Sequence, residues 1–181
     1  IQSDPRFKVV IGATEGETIL AMNNHQPPLD NVTVREAIAH AINRQDIIDG
    51  AMFGYGTPIG THFAPHNPDY EDLTRLSQYD PELSKKLLAD AGVSDLKLRL
   101  ALPPPTYARR GGEIIAAQLA AVGVQAEISN LEWAQWLEQV FKGKDFDLTI
   151  VSHTEPMDIN IYARPDYYFG YGKPEFVGLM D

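Results

Sequence analysis

The sequence predicts an α/β fold, a mostly parallel open sheet with flanking helices. Apolar residues alternate with others along "LKLRLAL" at 96–102 and "VQAEI" at 124–128, the period-2 pattern of strands with a buried face. Between and after these runs, apolar residues recur at three- and four-residue spacing, the period of amphipathic helices. Strand and helix patterns therefore alternate as β-α-β-α-β from Leu96 to Val151, which implies parallel pairing through right-handed crossovers. A chain of 181 residues that is 44% hydrophobic can bury one good core, so residues 1–181 are read as a single α/β domain.

Taken in order, "FKVVIG" at 7–12 and "ETILAMN" at 17–23 read as strands separated by a Gly-containing turn. Thr33 and Glu36 then have capping-box spacing, and Val34, Ala37, Ile38, Ala41 and Ile42 share one helical face. A second helix is predicted over Arg44–Met52, ending at Gly54. The Gly/Pro-rich stretch 54–70 follows, and connections of that length are commonly functional or packed against something. Asp80 as N-cap, Pro81 in the first helical position and Gly92 as terminator frame a helix with a stripe of Leu83, Leu87, Leu88 and Ala91. After the strand at 96–102, a helix is predicted from about Tyr107 to Val122, closed by Gly123, with Ile115, Leu119 and Val122 inward. Trp133, Trp136, Leu137, Val140 and Phe141 fit a further amphipathic helix, and "FDLTIV" at 146–151 is the last predicted strand.

Composition removes several functions. The formal charge of −10, with 15 basic residues scattered along the chain, argues against nucleic-acid partners, which draw on clustered Lys and Arg. The absence of cysteine excludes disulfides, thiol catalysis and Cys-based metal sites, and fits either redox compartment. No apolar run approaches the roughly 18–20 residues needed to span a bilayer. The start "IQSDPRFKVV" has neither a basic leader nor an initiator Met, as expected of a mature product or a piece of a longer chain.

Ligands of open α/β sheets bind outside the carboxyl ends of the strands, and two such ends are rich in chemistry. Pro103–Arg110 opens a helix whose free amide donors favour an anion, with Arg109 and Arg110 either binding a carboxylate or merely solvating it. Ser152–Gly172 carries His153, Glu155 and Asp158, residue types used in general acid–base catalysis and metal sites. It also carries Tyr162, Tyr167, Tyr168 and Tyr171, irregularly spaced aromatics that suit a recognition surface or packing against a further part of the protein. Neighbouring strands would bring Tyr107 and His153 to one crevice. No HExxH, GxSxG or P-loop motif is present. His62 and His66 flank Pro65 in a loop and read as solvated. His40 reads as a surface partner of Glu36, and the two tryptophans read as core.

Three blocks, "NVTVREAIAHAINRQDIIDGAMFGYGTP" at 31–58, "YDPELSKKLLADAGV" at 79–93 and "GGEIIAAQLAAVGVQAEISNLEWAQWLEQVFKGKDFDLTIV" at 111–151, together resemble the solute-binding proteins of peptide- and nickel-type ABC transporters, extracellular solute-binding protein family 5. Their order and spacing cover most of the chain. The resemblance implies one lobe of a two-lobed periplasmic-binding-protein clamshell. Residues 1–181 map to the C-terminal ligand-binding lobe, with the N-terminal lobe and the C-terminal return segment absent. It also implies ligand contacts from Pro103–Arg110 and from the segment after "FDLTIV", where His153 stands in the place of a Trp and residues 155–158 in the place of an acidic residue that meets the ligand's amino group. The ligand-binding residues so implied are Tyr107, Arg109, His153, Glu155, Asp158 and Tyr162. The carboxylates would meet a cationic or amine group, and Tyr107 and Tyr162 would form aromatic walls. The implied function is non-enzymatic and needs no cofactor: capture of a peptide-like or other small polar solute outside the cytoplasmic membrane, for delivery to a cognate ABC permease. Two alternatives remain, a small hydrolase or metal-dependent enzyme using His153, Glu155 and Asp158, and a self-contained peptide-recognition module.

Overall fold

The computed structural model describes residues 4–154 and 158–180. Its strands are β1 (Glu17–Met22), β2 (Lys97–Leu102), β3 (Gln125–Asn130) and β4 (Leu148–His153). They form one four-stranded sheet in the order β1-β4-β2-β3. β2 is parallel to both β3 and β4, while β1 is antiparallel to β4, so the sheet is mostly parallel as the alternating pattern predicts. The helices are α1 (Val32–Ala41), α2 (Arg44–Ala51), α3 (Pro81–Asp90), α4 (Thr106–Ala121), α5 (Trp133–Trp136) and α6 (Pro174–Met180), with 3₁₀ turns at Thr74–Ser77 and Asp158–Ala163.

Alternation along the strands divides the core in two. Leu98, Leu100, Leu102, Leu148 and Ile150 pack on one face against Ile38, Leu88, Ile115 and Leu119 of α1, α3 and α4. Ala21, Ala101 and Val151 point to the other face, where Trp136, Val140, Phe146, Tyr168 and Phe169 cover them. Each fully buried Leu or Ile contributes about 1.5–3 kcal/mol of transfer free energy, so the two layers hold the strand ends in place. Two buried polar side chains tie the layers together. Thr149 donates to the Ala101 carbonyl at 2.6 Å and accepts from the Trp136 indole at 2.9 Å. Asn23 donates to the carbonyls of Lys144 and Phe146, each at 3.0 Å.

Several local expectations change. Residues 7–12 form no strand, and Val10 and Ile11 are 78% and 67% exposed. A β-prone run becomes a strand only where an edge is offered to it. The cap of α1 is Asn31, which accepts from the Thr33 N–H at 2.9 Å, so the Thr33–Glu36 box is replaced by an earlier residue of the same chemistry. His40 donates from Nδ1 at 2.7 Å to the Gln78 carbonyl, joining α1 to the segment before α3, instead of pairing with Glu36. Asp80 caps α3 as predicted, accepting from the Leu83 N–H at 2.9 Å. Ser84 lies on the buried face of α3 and donates to the Ala37 carbonyl at 2.7 Å.

The predicted helix around the tryptophans is helical but irregular, since α5 gives way at Leu137 to a π-helical stretch through Lys142. The wider turn breaks the four-residue stripe. Trp136 and Val140 are buried, whereas Trp133, Leu137 and Phe141 are 42%, 45% and 38% exposed.

Candidate functional site

Because β2 and β4 are adjacent and parallel, the loops that follow both open on the same edge of the sheet. Pro105 stands before α4 and fixes its entry, placing Tyr107 in the first turn. The Tyr107 hydroxyl accepts from the Ser152 N–H at 3.2 Å, one residue before His153. β1 runs the other way, so its first residue, Glu17, lies opposite His153 in register. The 54–70 connection closes over this end and brings in His62, which is 8% exposed. Here the solvated reading of His62 fails. Phe63 and Ala64 are buried beside it at 7% and 2% and draw the loop inward, while His66 stays exposed and pairs with Glu15.

Around His62 these groups form a close polar cluster. His62 Nε2 is 3.5 Å from a Glu17 carboxylate oxygen, and His62 Nδ1 is 3.1 Å from the Tyr162 hydroxyl. The His62 and His153 rings meet edge to face at 5.4 Å, and so do those of His62 and Tyr162 at 5.4 Å. His153 Nε2 in turn lies 3.2 Å from the Tyr168 hydroxyl. Tyr107, His153 and Tyr162, three of the residues singled out in the sequence, therefore gather at one end of the sheet, with His62 and Glu17 as members that sequence reasoning missed.

A cavity of about 540 Å³ runs from this cluster along β1, between α1, α2 and residues 55–62, with Tyr107, Tyr162 and Tyr171 on its wall. Its size falls within the range of small-molecule sites, and its lining is mainly apolar with a few polar groups. Arg35 and Arg44 also line it, and burial lowers the pKa of both guanidinium groups from the ordinary arginine value. Each is held by a backbone carbonyl at 2.7 Å, Arg35 by Leu29 and Arg44 by Ser77.

The remaining sequence candidates stand apart. Arg109 turns to Glu132, donating from Nη2 at 3.0 Å, and takes no place on the cavity wall. Arg110 lies over the Phe53 ring at 5.4 Å. Glu155 lies outside the described residues, and so does the side chain of Asp158, whose backbone opens the 3₁₀ turn. Tyr167 and Tyr168 are 9% and 1% exposed and pack with Phe169 under the sheet, which corrects their reading as a recognition surface. Their aromatic neighbours Trp136 and Phe141 supply the partner surface from within this chain. Among the described residues no set of three or more His, Asp or Glu side chains is arranged to hold a metal ion.

The chain is thus an open α/β sheet whose polar and aromatic groups converge at the strand ends beside a cavity. A sequence model of the bacterial extracellular solute-binding proteins, family 5 Middle, matches residues 1–173, and the chain belongs to this family. It is 36% identical over 135 residues to the dipeptide-binding protein of Escherichia coli K12, a match covering 69% of this chain and 24% of that protein. It is 29% identical over 153 residues to heme-binding protein A of Haemophilus influenzae, covering 80% of this chain and 27% of the relative. The dipeptide-binding protein of Pseudoalteromonas sp. SM9913, solved with Met-Leu, shares the fold at a TM-score of 0.83 and 24% identity, over 92% of this chain and 36% of that one. The chain thus spans about a quarter of the length of these curated relatives, and the relatives are solute-binding transport proteins.

Proposed function

We propose that residues 1–181 form the C-terminal ligand-binding lobe of an ABC-transporter substrate-binding protein that captures a peptide-like or other small polar solute. The observation that carries this reading is the meeting of the β2 and β4 ends, where Tyr107 reaches Ser152 beside His153 and Tyr162. Those two strand ends are where the family resemblance implies ligand contacts, and the relatives include a dipeptide-binding protein and a heme-binding protein. Tyr107 and Tyr162 serve as aromatic walls, His153 as a polar contact, and Glu155 and Asp158 as carboxylates for an amine. Arg109 acts at most from the rim, held by Glu132.

The unit is non-enzymatic in this reading. A second lobe closes over the solute, and binding shifts the open–closed equilibrium by the difference in affinity between the two states. The protein works in the periplasm, where its relatives include periplasmic transport proteins, and meets the membrane through a cognate permease. The relatives lend no support to a hydrolase or metal enzyme built on His153, Glu155 and Asp158.

A thermal-shift screen of the intact protein against di- and oligopeptides, opine-like compounds and Ni²⁺ tests this, because a native-state ligand raises the midpoint by mass action. A peptide or small polar solute that raises it is the expected result. Turnover of a substrate, lost on His153→Ala, would overturn it.

A further inference from the structure

We infer that the cavity beside β1 takes an apolar solute that carries a carboxylate, and that Arg35, rather than Arg109, is the residue that holds the carboxylate. This rests on the solute-binding reading above and adds to it the charge of the solute and the residue that selects it. The chain carries 25 acidic residues against 15 basic ones, yet among the described residues the cavity wall includes Arg35 and Arg44 and no Asp, Glu or Lys. The sign of the charge is thus reversed locally, over a lining whose aliphatic part includes Ile19, Met22, Ile38 and Ile42, and such a wall favours an apolar anion. Arg35 shares a face of α1 with Ile38 and Ile42, three and seven residues on, so the helical period that packs the apolar stripe also brings the guanidinium to the wall. Charges taken out of water are normally paired, but among the described residues neither arginine forms an ion pair with a carboxylate. Asp30 and Glu36 act on Arg35 electrostatically, and less strongly than its burial does. A guanidinium has five N–H donors. The Leu29 carbonyl takes one from Nη1 of Arg35 at 2.7 Å, which leaves the Nε–Nη2 edge, a parallel pair of donors that matches a carboxylate. Arg44 gives Nη1 and Nη2 to Ser77 and adds positive potential from the first position of α2. Arg109, by contrast, is held by Glu132 and stands off the wall. Tyr171, near enough to Arg35 to act on its charge, meets the Tyr162 ring edge to face at 5.6 Å, so a solute at the strand ends reaches Arg35 along one continuous wall.

Equilibrium dialysis of the intact protein against two matched pairs, dileucine with its C-terminal amide and hexanoate with hexanamide, tests the inference. The wild type should hold the acid of a pair about tenfold more tightly than the amide, the scale of one charge-assisted hydrogen bond. Arg35→Gln, which keeps an amide donor for the Leu29 carbonyl, should bring that ratio to about one, and Arg35→Lys should keep part of it. A merely structural Arg35 would weaken acid and amide alike and leave the ratio unchanged, which would overturn the inference. So would a ratio lost on Arg109→Gln and kept on Arg35→Gln. A wild type that holds the amides as tightly as the acids overturns it whether or not any variant folds. If the wild type binds neither member of either pair but binds another solute of the thermal-shift screen, this inference falls and the solute-binding reading stands. If it binds nothing in either experiment, both fall.

Discussion

The hydroxyl of Thr149 serves two partners at once, the Trp136 indole and the Ala101 carbonyl, at a position with no solvent exposure. Replacing it with Val keeps the shape and leaves both partners buried and unsatisfied. Such groups cost about 1–3 kcal/mol each, so Thr149→Val should destabilise the fold by about 2–4 kcal/mol in urea unfolding, with an unchanged slope. Polar residues of this kind were the least legible in the sequence. Thr149, Ser84 and His62 look like surface residues to any reading that sends polar side chains outward, because their hydrogen-bond partners lie far along the chain. Tyr107 and His153 were legible for the opposite reason. His153 ends the well-marked strand β4 and Tyr107 lies in the first helical turn after β2, and the topology of parallel sheets fixes where strand ends go.

Among the elements, α4 offers a paired test. A Cβ on Gly112 would meet the Leu102 side chain at 2.4 Å, whereas one on Gly111 would find ordinary contact with Ile47 at 3.6 Å. Gly112→Ala should therefore cost about 1–3 kcal/mol by overpacking. Gly111→Ala should gain about 0.5–1 kcal/mol from helix propensity, and thermal unfolding of the two variants side by side checks both signs. The contrast also shows what made elements readable. β2, α3 and α4 carry their own period, caps and terminators, such as Asp80 before α3 and the positive-φ Gly123 after α4, so local chemistry settles them. The run at 7–12 and the π-helical stretch at 137–142 depend on partners elsewhere. The first has strand-forming residues without a strand beside it, and the second bends where Phe141 packs on Tyr167 and Tyr168.

At the scale of the whole molecule, the cavity beside β1 and the exposed Phe7, Val10 and Ile11 put apolar groups in reach of solvent. One lobe of a larger protein would cover such surface against the rest of its chain. The 181-residue chain alone should then bind an apolar dye such as ANS more strongly per mole than the intact protein does, measured by fluorescence under native conditions. The family and the mostly parallel pairing were within reach of the sequence, whereas the order of the strands was not, because β1 pairs with β4 from the far end of the chain.

The most direct test of the lobe assignment is a calorimetric titration of one solute found in the screen into three samples: the intact protein, its Tyr107→Ala variant and the 181-residue chain. The expected result is a one-site isotherm for the intact protein, an affinity about tenfold weaker after the loss of the Tyr107 ring, and no measurable heat with the chain alone. Equal affinity in the isolated chain and the intact protein would contradict it, and would make these residues a complete recognition module in themselves.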